Sequence, residues 1–226
     1  MSNLNFRAKP YAETLAWIHE LDMYKNNKKR FLTYCQDLHD PAIDKLVLEF
    51  DQADPTYPSF FDAPAASEEH GNFPGGLMMH SLNVYDQFTH ILDQPQVAQV
   101  IGQYVDTRTR ILCSLFHDLC KWRLYEPCLL EKDYKGIPKG AFKAKPYTSS
   151  ELNCLGHSVK SLFILQQYGV KLTQQQAALI RWHMGMWDRD FISNQKSIER
   201  LNPECILFAS ADLIASQIEP KIGGEE

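Results

Sequence analysis

The chain has 226 residues, 44% hydrophobic and 23% charged, enough for one large domain with a full core, or one domain with an appendage. Its formal net charge of −5 argues against a protein that coats nucleic acid through a basic surface, though a local positive pocket for one strand or a nucleotide stays open. Six cysteines (35, 113, 120, 128, 154 and 205) without a C-x-x-C pair fit a reducing cytoplasm better than a disulfide framework; the start shows no secretion signal, and no apolar run nears the roughly 18 residues that a membrane span needs.

Taken in chain order, the pattern predicts helices almost throughout, with N-terminal helices over 10–52. Asp40-Pro41 reads as an N-cap followed by proline at the first helical position, opening a helix through Ile43, Leu46, Val47 and Phe50. Segment 52–76 is rich in proline and small residues and reads as an ordered loop. Gly75-Gly76 lead into a helix over 77–92 with Leu77, Val84, Phe88 and Ile91 on one face. Two more helices are expected over 96–105 and 108–121. Segment 122–147 mixes aromatic and β-favouring residues with Gly-Ile-Pro and Lys-Gly turns, which predicts a short β-hairpin or lid. Thr173-x-x-Gln176 is a capping box, and Asn202-Pro203-Glu204 opens a last helix carrying Leu207, Ala211, Ile214 and Ile218. The expected whole is one all-α domain: N-terminal helices, a core over about 58–218, and a loose tail over 219–226.

Four histidines and two aspartates sit where polar groups are costly. His117 and Asp118 are adjacent within ILCSLFHDLCKW, and on a helix such neighbours point about 100° apart, so both can reach one ion beside it. Asp118 between SLF and LC, and Asp212 within LFASADLIAS, would be expensive as unpartnered carboxylates. His80 is expected in the first turn after GGL, His157 at a helix start, and His183 near the end of the capped helix. Neutral imidazoles and carboxylates are the donors that divalent transition metals take. The bland reading of His117–Asp118 alone is a hydrogen bond that locks a helix. Lys121, three residues after Asp118, projects over the same face, where a cation suits a phosphate oxygen or a developing charge.

The stretches APAASEEHGNFPGGLMMHSLNVY, LFHDLCKW, GHSVKS, IRWHMG and ADLIAS, in that order, resemble the HD-domain superfamily of metal-dependent phosphohydrolases. The closest resemblance is to the HD domain of bacterial HD-type 3′–5′ exoribonucleases and related uncharacterised hydrolases, over roughly residues 58–218. It implies His80, His117, Asp118 and Asp212 as ligands of a first metal, Asp118 as a bridge, and His157 and His183 completing a second site. It implies one or two divalent transition-metal ions (Mn, Ni, Co, Fe or Zn) and a metal-bound hydroxide that attacks a phosphoester. Two departures narrow the reading. Cys120 stands where glycine usually precedes the lysine, and HMGMWDRDF replaces the HHE…GYP signature of cyclic-di-GMP phosphodiesterases. Too little chain precedes the domain for an oligonucleotide-binding barrel, so processive RNA degradation is not expected.

The expected function is hydrolysis of a phosphoester in a small anionic substrate, a nucleotide or short oligonucleotide, with Asp118 and Lys121 as catalytic residues. His70 and Lys160 are candidate substrate contacts, against a plain loop histidine and a solvated lysine. Lys132, Lys135, Lys139, Lys143 and Lys145 form either an electrostatic funnel or a solvated loop. Trp122, Trp182 and Trp187 either stack bases or pack the core. Arg181 is expected to serve the surface or the structure, Cys113 and Cys120 packing; His19, His39 and His90 are given no role. Two other functions share the ligand set: an HD-type di-iron oxygenase, and a non-catalytic helical module that keeps metal for stability.

Overall fold

Residues that satisfy orphan amides fix where the helices begin. The structure is a computed structural model that describes residues 11–52, 57–66, 70–127, 142–144 and 155–219. The first three helices are α1 (Tyr11–Glu20), α2 (Asp22–Asp37) and α3 (Pro41–Leu48). Asp40 caps α3 by accepting from the Ala42 amide, with Pro41 in the first turn. Next come α4 (Gly76–Leu92), α5 (Pro95–Val100) and α6 (Thr107–Phe116), the last capped by Asp106 accepting from Thr109 N. After them run α7 (His157–Gln167), α8 (Gln174–Trp182), α9 (Arg189–Leu201) and α10 (Glu204–Ile218). The predicted capping box is present at α8: Thr173 Oγ1 accepts from Gln176 N, and Gln176 Oε1 from Thr173 N.

The described residues are mostly helical, as the apolar spacing predicts. Two three-residue strands, β1 (Tyr125–Pro127) and β2 (Phe142–Ala144), pair antiparallel with Tyr125 opposite Ala144. The residues between them, including Lys132, Lys135 and Lys139, lie outside the described ones, as do Lys145 and residues 220–226. Among the described residues no helix is long and apolar enough to cross a membrane.

The long helix α4 runs through the middle, packed against α10, α6 and α2, and α8 closes the other side of α6 and α10. Every residue from Gly76 to Leu82 is buried. The loop before α4 folds directly onto it: a Cβ on Gly76 would lie 1.9 Å from the carbonyl oxygen of Gly71, so only glycine fits. This close approach brings His70 over α4.

Three predicted boundaries move. The helix expected over 96–105 stops at Val100 and continues as a tight turn over Gly102–Tyr104. Gly102 lies so near the Leu92 carbonyl that a Cβ would come within 2.4 Å of it, and the chain must turn to pass. The helix expected over 108–121 ends at Phe116; His117 caps it, Asp118 leaves helical geometry (φ −104°, ψ 18°), and Leu119–Lys121 form a 3-10 turn. The break lets both polar side chains face the same interior rather than fanning round a helix. His80 lies one residue further into its helix than expected, just past the first turn, because α4 already begins at Gly76.

A candidate metal centre

Side chains from five segments converge between α4, α6, α7, α8 and α10: His80 from α4, His117 and Asp118 past the end of α6, His157 at the first residue of α7, His183 at the end of α8, and Asp212 from α10. All six predicted ligand residues are thus brought together, and His80, His117, Asp118 and His183 are each at most 2% exposed.

Three of the four histidines share one orientation. His117 Nδ1–H donates to the Ser114 carbonyl at 2.9 Å, and His183 Nδ1–H to the Ile180 carbonyl at 2.8 Å. His80 Nδ1–H donates to the Glu219 carboxylate, 3.0 and 3.2 Å from its two oxygens. In each case the outer nitrogen is anchored and Nε2 faces inward. The inner nitrogens crowd: His80 Nε2 and His117 Nε2 are 3.3 Å apart, two lone pairs that repel unless a cation or a proton sits between them. His183 Nε2 is buried with no hydrogen-bond partner among the described residues.

Asp118 is central. Its Oδ2 lies 3.7 Å from His80 Nε2 and 3.5 Å from His117 Nε2, while Oδ1 lies 2.5 Å from His157 Nε2 and 3.4 Å from His183 Nε2. One carboxylate therefore turns one oxygen to each of two imidazole pairs. Asp212 Oδ1 joins the first pair, 3.0 Å from His80 Nε2 and 3.8 Å from His117 Nε2. Lys121 Nζ donates to Asp118 Oδ2 at 2.7 Å, within the same 3-10 turn.

Burial and the carboxylates pull the protons in opposite directions. Burial wins at His117, which is pushed down to about 3 and is neutral at any ordinary pH. At His80 burial is outweighed by Glu219 and Asp212, and the imidazole is raised to about 10. His157 is likewise raised to about 10, burial being outweighed by the neighbouring Cys120 and Asp118. Asp118 and Asp212 are held below the usual carboxylate range despite burial, Asp118 chiefly by Lys121 and His117, Asp212 chiefly by His80; Lys121 is raised, Asp118 overcoming its burial. A divalent cation facing the same carboxylates would do the electrostatic work that raises His80 and His157. The anchored imidazoles, the inward carboxylates and the orphaned Nε2 of His183 together fit a transition metal.

The other expected site residues divide. His70 is brought in, its ring centroid 4.9 Å from that of His80, and its Nε2 is buried with no hydrogen-bond partner among the described residues. Burial, with His80 and Lys121 nearby, pushes it down to about 4. Lys160 stays half-buried on α7, without a hydrogen bond or ion pair to the described cluster. Arg181 serves structure, pairing with Asp188 and Asp190 and lying over the Trp182 ring. Trp122 is buried against Phe50, and Trp182 packs on Phe191, so neither offers a stacking wall. Trp187 is 79% exposed and lines a cleft of about 380 Å³ with Gly156, His157, Arg181 and Arg189.

Two residues escaped the sequence reading. Glu219, placed in a loose tail, is buried and holds both His80 and the Asn83 amide, which donates at 3.1 Å. Cys120, assigned to packing, places its sulfur against His157. His19, given no role, ties α1 to the loop through Asp62 at 2.6 Å. Comparison with models of protein families, with curated proteins and with solved structures gave no match for this chain.

Proposed function

We propose that this chain is a metal-dependent phosphohydrolase of the HD-domain kind, acting on a phosphoester of a nucleotide or short oligonucleotide. The observation that carries the reading is the two-sided placement of Asp118, one oxygen toward His80 and His117 and the other toward His157 and His183. His80, His117, Asp118 and Asp212 would hold one divalent transition-metal ion; Asp118, His157 and His183 would hold a second. Bound there, such ions (Mn, Ni, Co, Fe or Zn) supply Lewis acidity toward a water and the phosphoryl oxygens.

The chain's own residues do the rest. Glu219 and the Ser114 and Ile180 carbonyls keep three Nε2 atoms aimed inward, so the donors need little reorganisation. Lys121, in an almost dry setting, offsets negative charge brought in by a phosphate. His70, neutral and with Nε2 unused, can accept or donate one hydrogen bond to substrate. The cleft at His157 offers an exposed indole for a base at Trp187 and a guanidinium at Arg189, and Lys160 lies one turn along α7 for a further phosphate. The buried free thiols suit a reducing cytoplasm.

The test is hydrolysis of a generic phosphodiester and a nucleotide panel by protein stripped of metal and reloaded with manganese, nickel or iron, with and without oxygen. Oxygen-independent turnover that requires metal and disappears in Asp118→Ala supports the hydrolase. Turnover that requires oxygen and iron, or none with any metal, sinks it.

A further inference from the structure

We propose that Cys120 is a thiolate ligand of the second metal position, beside Asp118 Oδ1, His157 and His183, making that position selective for a thiophilic divalent transition metal. The proposal rests on the metal-centre reading above. Cys120 Sγ lies 3.2 Å from Nδ1 and 3.8 Å from Nε2 of His157. A sulfur in line with Nδ1–H would lie about 5 Å from Nε2, so the 3.8 Å distance puts it off that line and within reach of both ring nitrogens. It is therefore not an outer anchor of the kind that Glu219, Ser114 and Ile180 provide. The Sγ–Nε2 distance instead fits two donors sharing one ion: metal–sulfur and metal–nitrogen bonds of about 2.3 and 2.0–2.1 Å in tetrahedral geometry separate the donors by about 3.6 Å.

Asp118, Cys120 and His157 each offer a ligand atom, and the three lie within 4.8 Å of one another. A separate observation points to the same place. His183 Nε2, buried and unpartnered among the described residues, lies 3.4 Å from the same Asp118 oxygen that His157 meets. Together they make an oxygen, a sulfur and two nitrogens, a donor set for zinc, cobalt or ferrous iron rather than magnesium or manganese. The turn carrying the thiol is pinned from outside, because Cys120 N donates to Ser161 Oγ on α7 at 3.0 Å. Binding would displace the thiol proton to solvent.

The test is titration of the metal-free full chain with cobalt(II), followed by absorption, for wild type, Cys120→Ser and Cys120→Gly, with circular dichroism to verify folding. All three should develop the visible ligand-field bands of bound cobalt. Only wild type should add a sulfur-to-cobalt charge-transfer band in the near ultraviolet, growing with the second equivalent, and the variants should hold that equivalent about tenfold or more weakly. Ligand-field bands without the sulfur band in wild type, or a sulfur band that survives in either folded variant, overturn the thiolate ligand and leave the metal centre standing. No cobalt bands in any protein overturn the metal centre itself, and this proposal with it.

Discussion

Phe116 and His117 are neighbours in the chain, yet they end in two interiors of opposite character. Phe116 joins an aromatic cluster with Phe31, Phe50, Phe60 and Phe61: Phe50 and Phe60 stack at 3.9 Å, and Phe31 meets Phe61 and Phe116 edge-on at 5.8 and 6.0 Å. All five are at most 1% exposed, and none has a polar side-chain atom. His117 joins a cluster just as deeply buried, in which two imidazole nitrogens face each other at 3.3 Å and that of His183 has no hydrogen-bond partner among the described residues. The first interior is held by ring packing, with one buried indole N–H, that of Trp122 on Phe50, lacking a hydrogen-bond partner among the described residues. The second gathers imidazoles and carboxylates, the donors of the proposed metal centre, so substitutions in the two should act on different observables.

The largest expected effect is on chemistry alone. Asp118→Ala removes the carboxylate that faces both imidazole pairs, and turnover should fall at least about a thousandfold, roughly 4 kcal/mol at about 1.4 kcal/mol per decade. Far-ultraviolet circular dichroism should stay that of the wild type. Full activity in folded Asp118→Ala protein would erase the distinction between the two interiors. The mirror case is Phe50→Ala, which should cost about 3–5 kcal/mol of stability through lost transfer energy and a cavity. At roughly 2–4 °C per kcal/mol, a melting curve reads this directly. Metal bound per folded molecule should not change; if it does, the aromatic cluster sets the geometry of the polar one.

A finer probe is Glu219, which among the described residues meets the proposed ligands through His80. Glu219→Ala should weaken metal binding about 10–100-fold, the usual loss when a partner orienting a ligand is removed. Activity should return at saturating metal. Glu219→Gln keeps an acceptor for Nδ1–H and should fall between. Competition with a chelator measures both, and affinities within twofold of wild type would show that His80 is held by its packing instead.

These residues also show how far the sequence reaches. Helix existence was legible because caps and apolar spacing are local: Asp40-Pro41 and Thr173-x-x-Gln176 announce α3 and α8. Of the six converging residues, Asp118 and Asp212 were legible because a carboxylate in an apolar run needs an explanation; the set as a whole came from the ordered resemblance to the HD-domain superfamily. The break after Phe116 was not, because it is set by what His117 and Asp118 meet across the fold. Glu219 lies 139 residues from His80, and nothing in its own neighbourhood marks it as buried. The one trace is Asn83, a polar residue three positions after His80, whose amide meets the same carboxylate. The sulfur of Cys120 reads locally as one more apolar side chain, and only its place beside His157 sets it apart.

The smallest effect tests whether the aromatic interior is also held by its edge. Asp40 caps α3 and receives Arg108 Nη2 at 2.6 Å, while Arg108 Nη1 donates to the Leu38 carbonyl at 2.8 Å, tying the turn before α3 to α6. Burial alone would raise the Asp40 carboxyl; Arg108 and the Ala42 amide outweigh it, and the group sits below its ordinary value. A carboxyl lowered by folding stabilises the fold above its unfolded value of about 3.9, and that contribution disappears as pH falls through the folded value. Asp40→Ala should therefore cost about 1 kcal/mol at pH 7, the usual worth of an N-cap. Asp40→Asn keeps the cap, loses the ion pair, and should cost less. Denaturant midpoints for wild type and Asp40→Asn should converge as pH is lowered below about 3.9, the unfolded value. A gap that stays constant with pH would mean the ion pair adds nothing, and that the helix cap alone secures this corner of the aromatic interior.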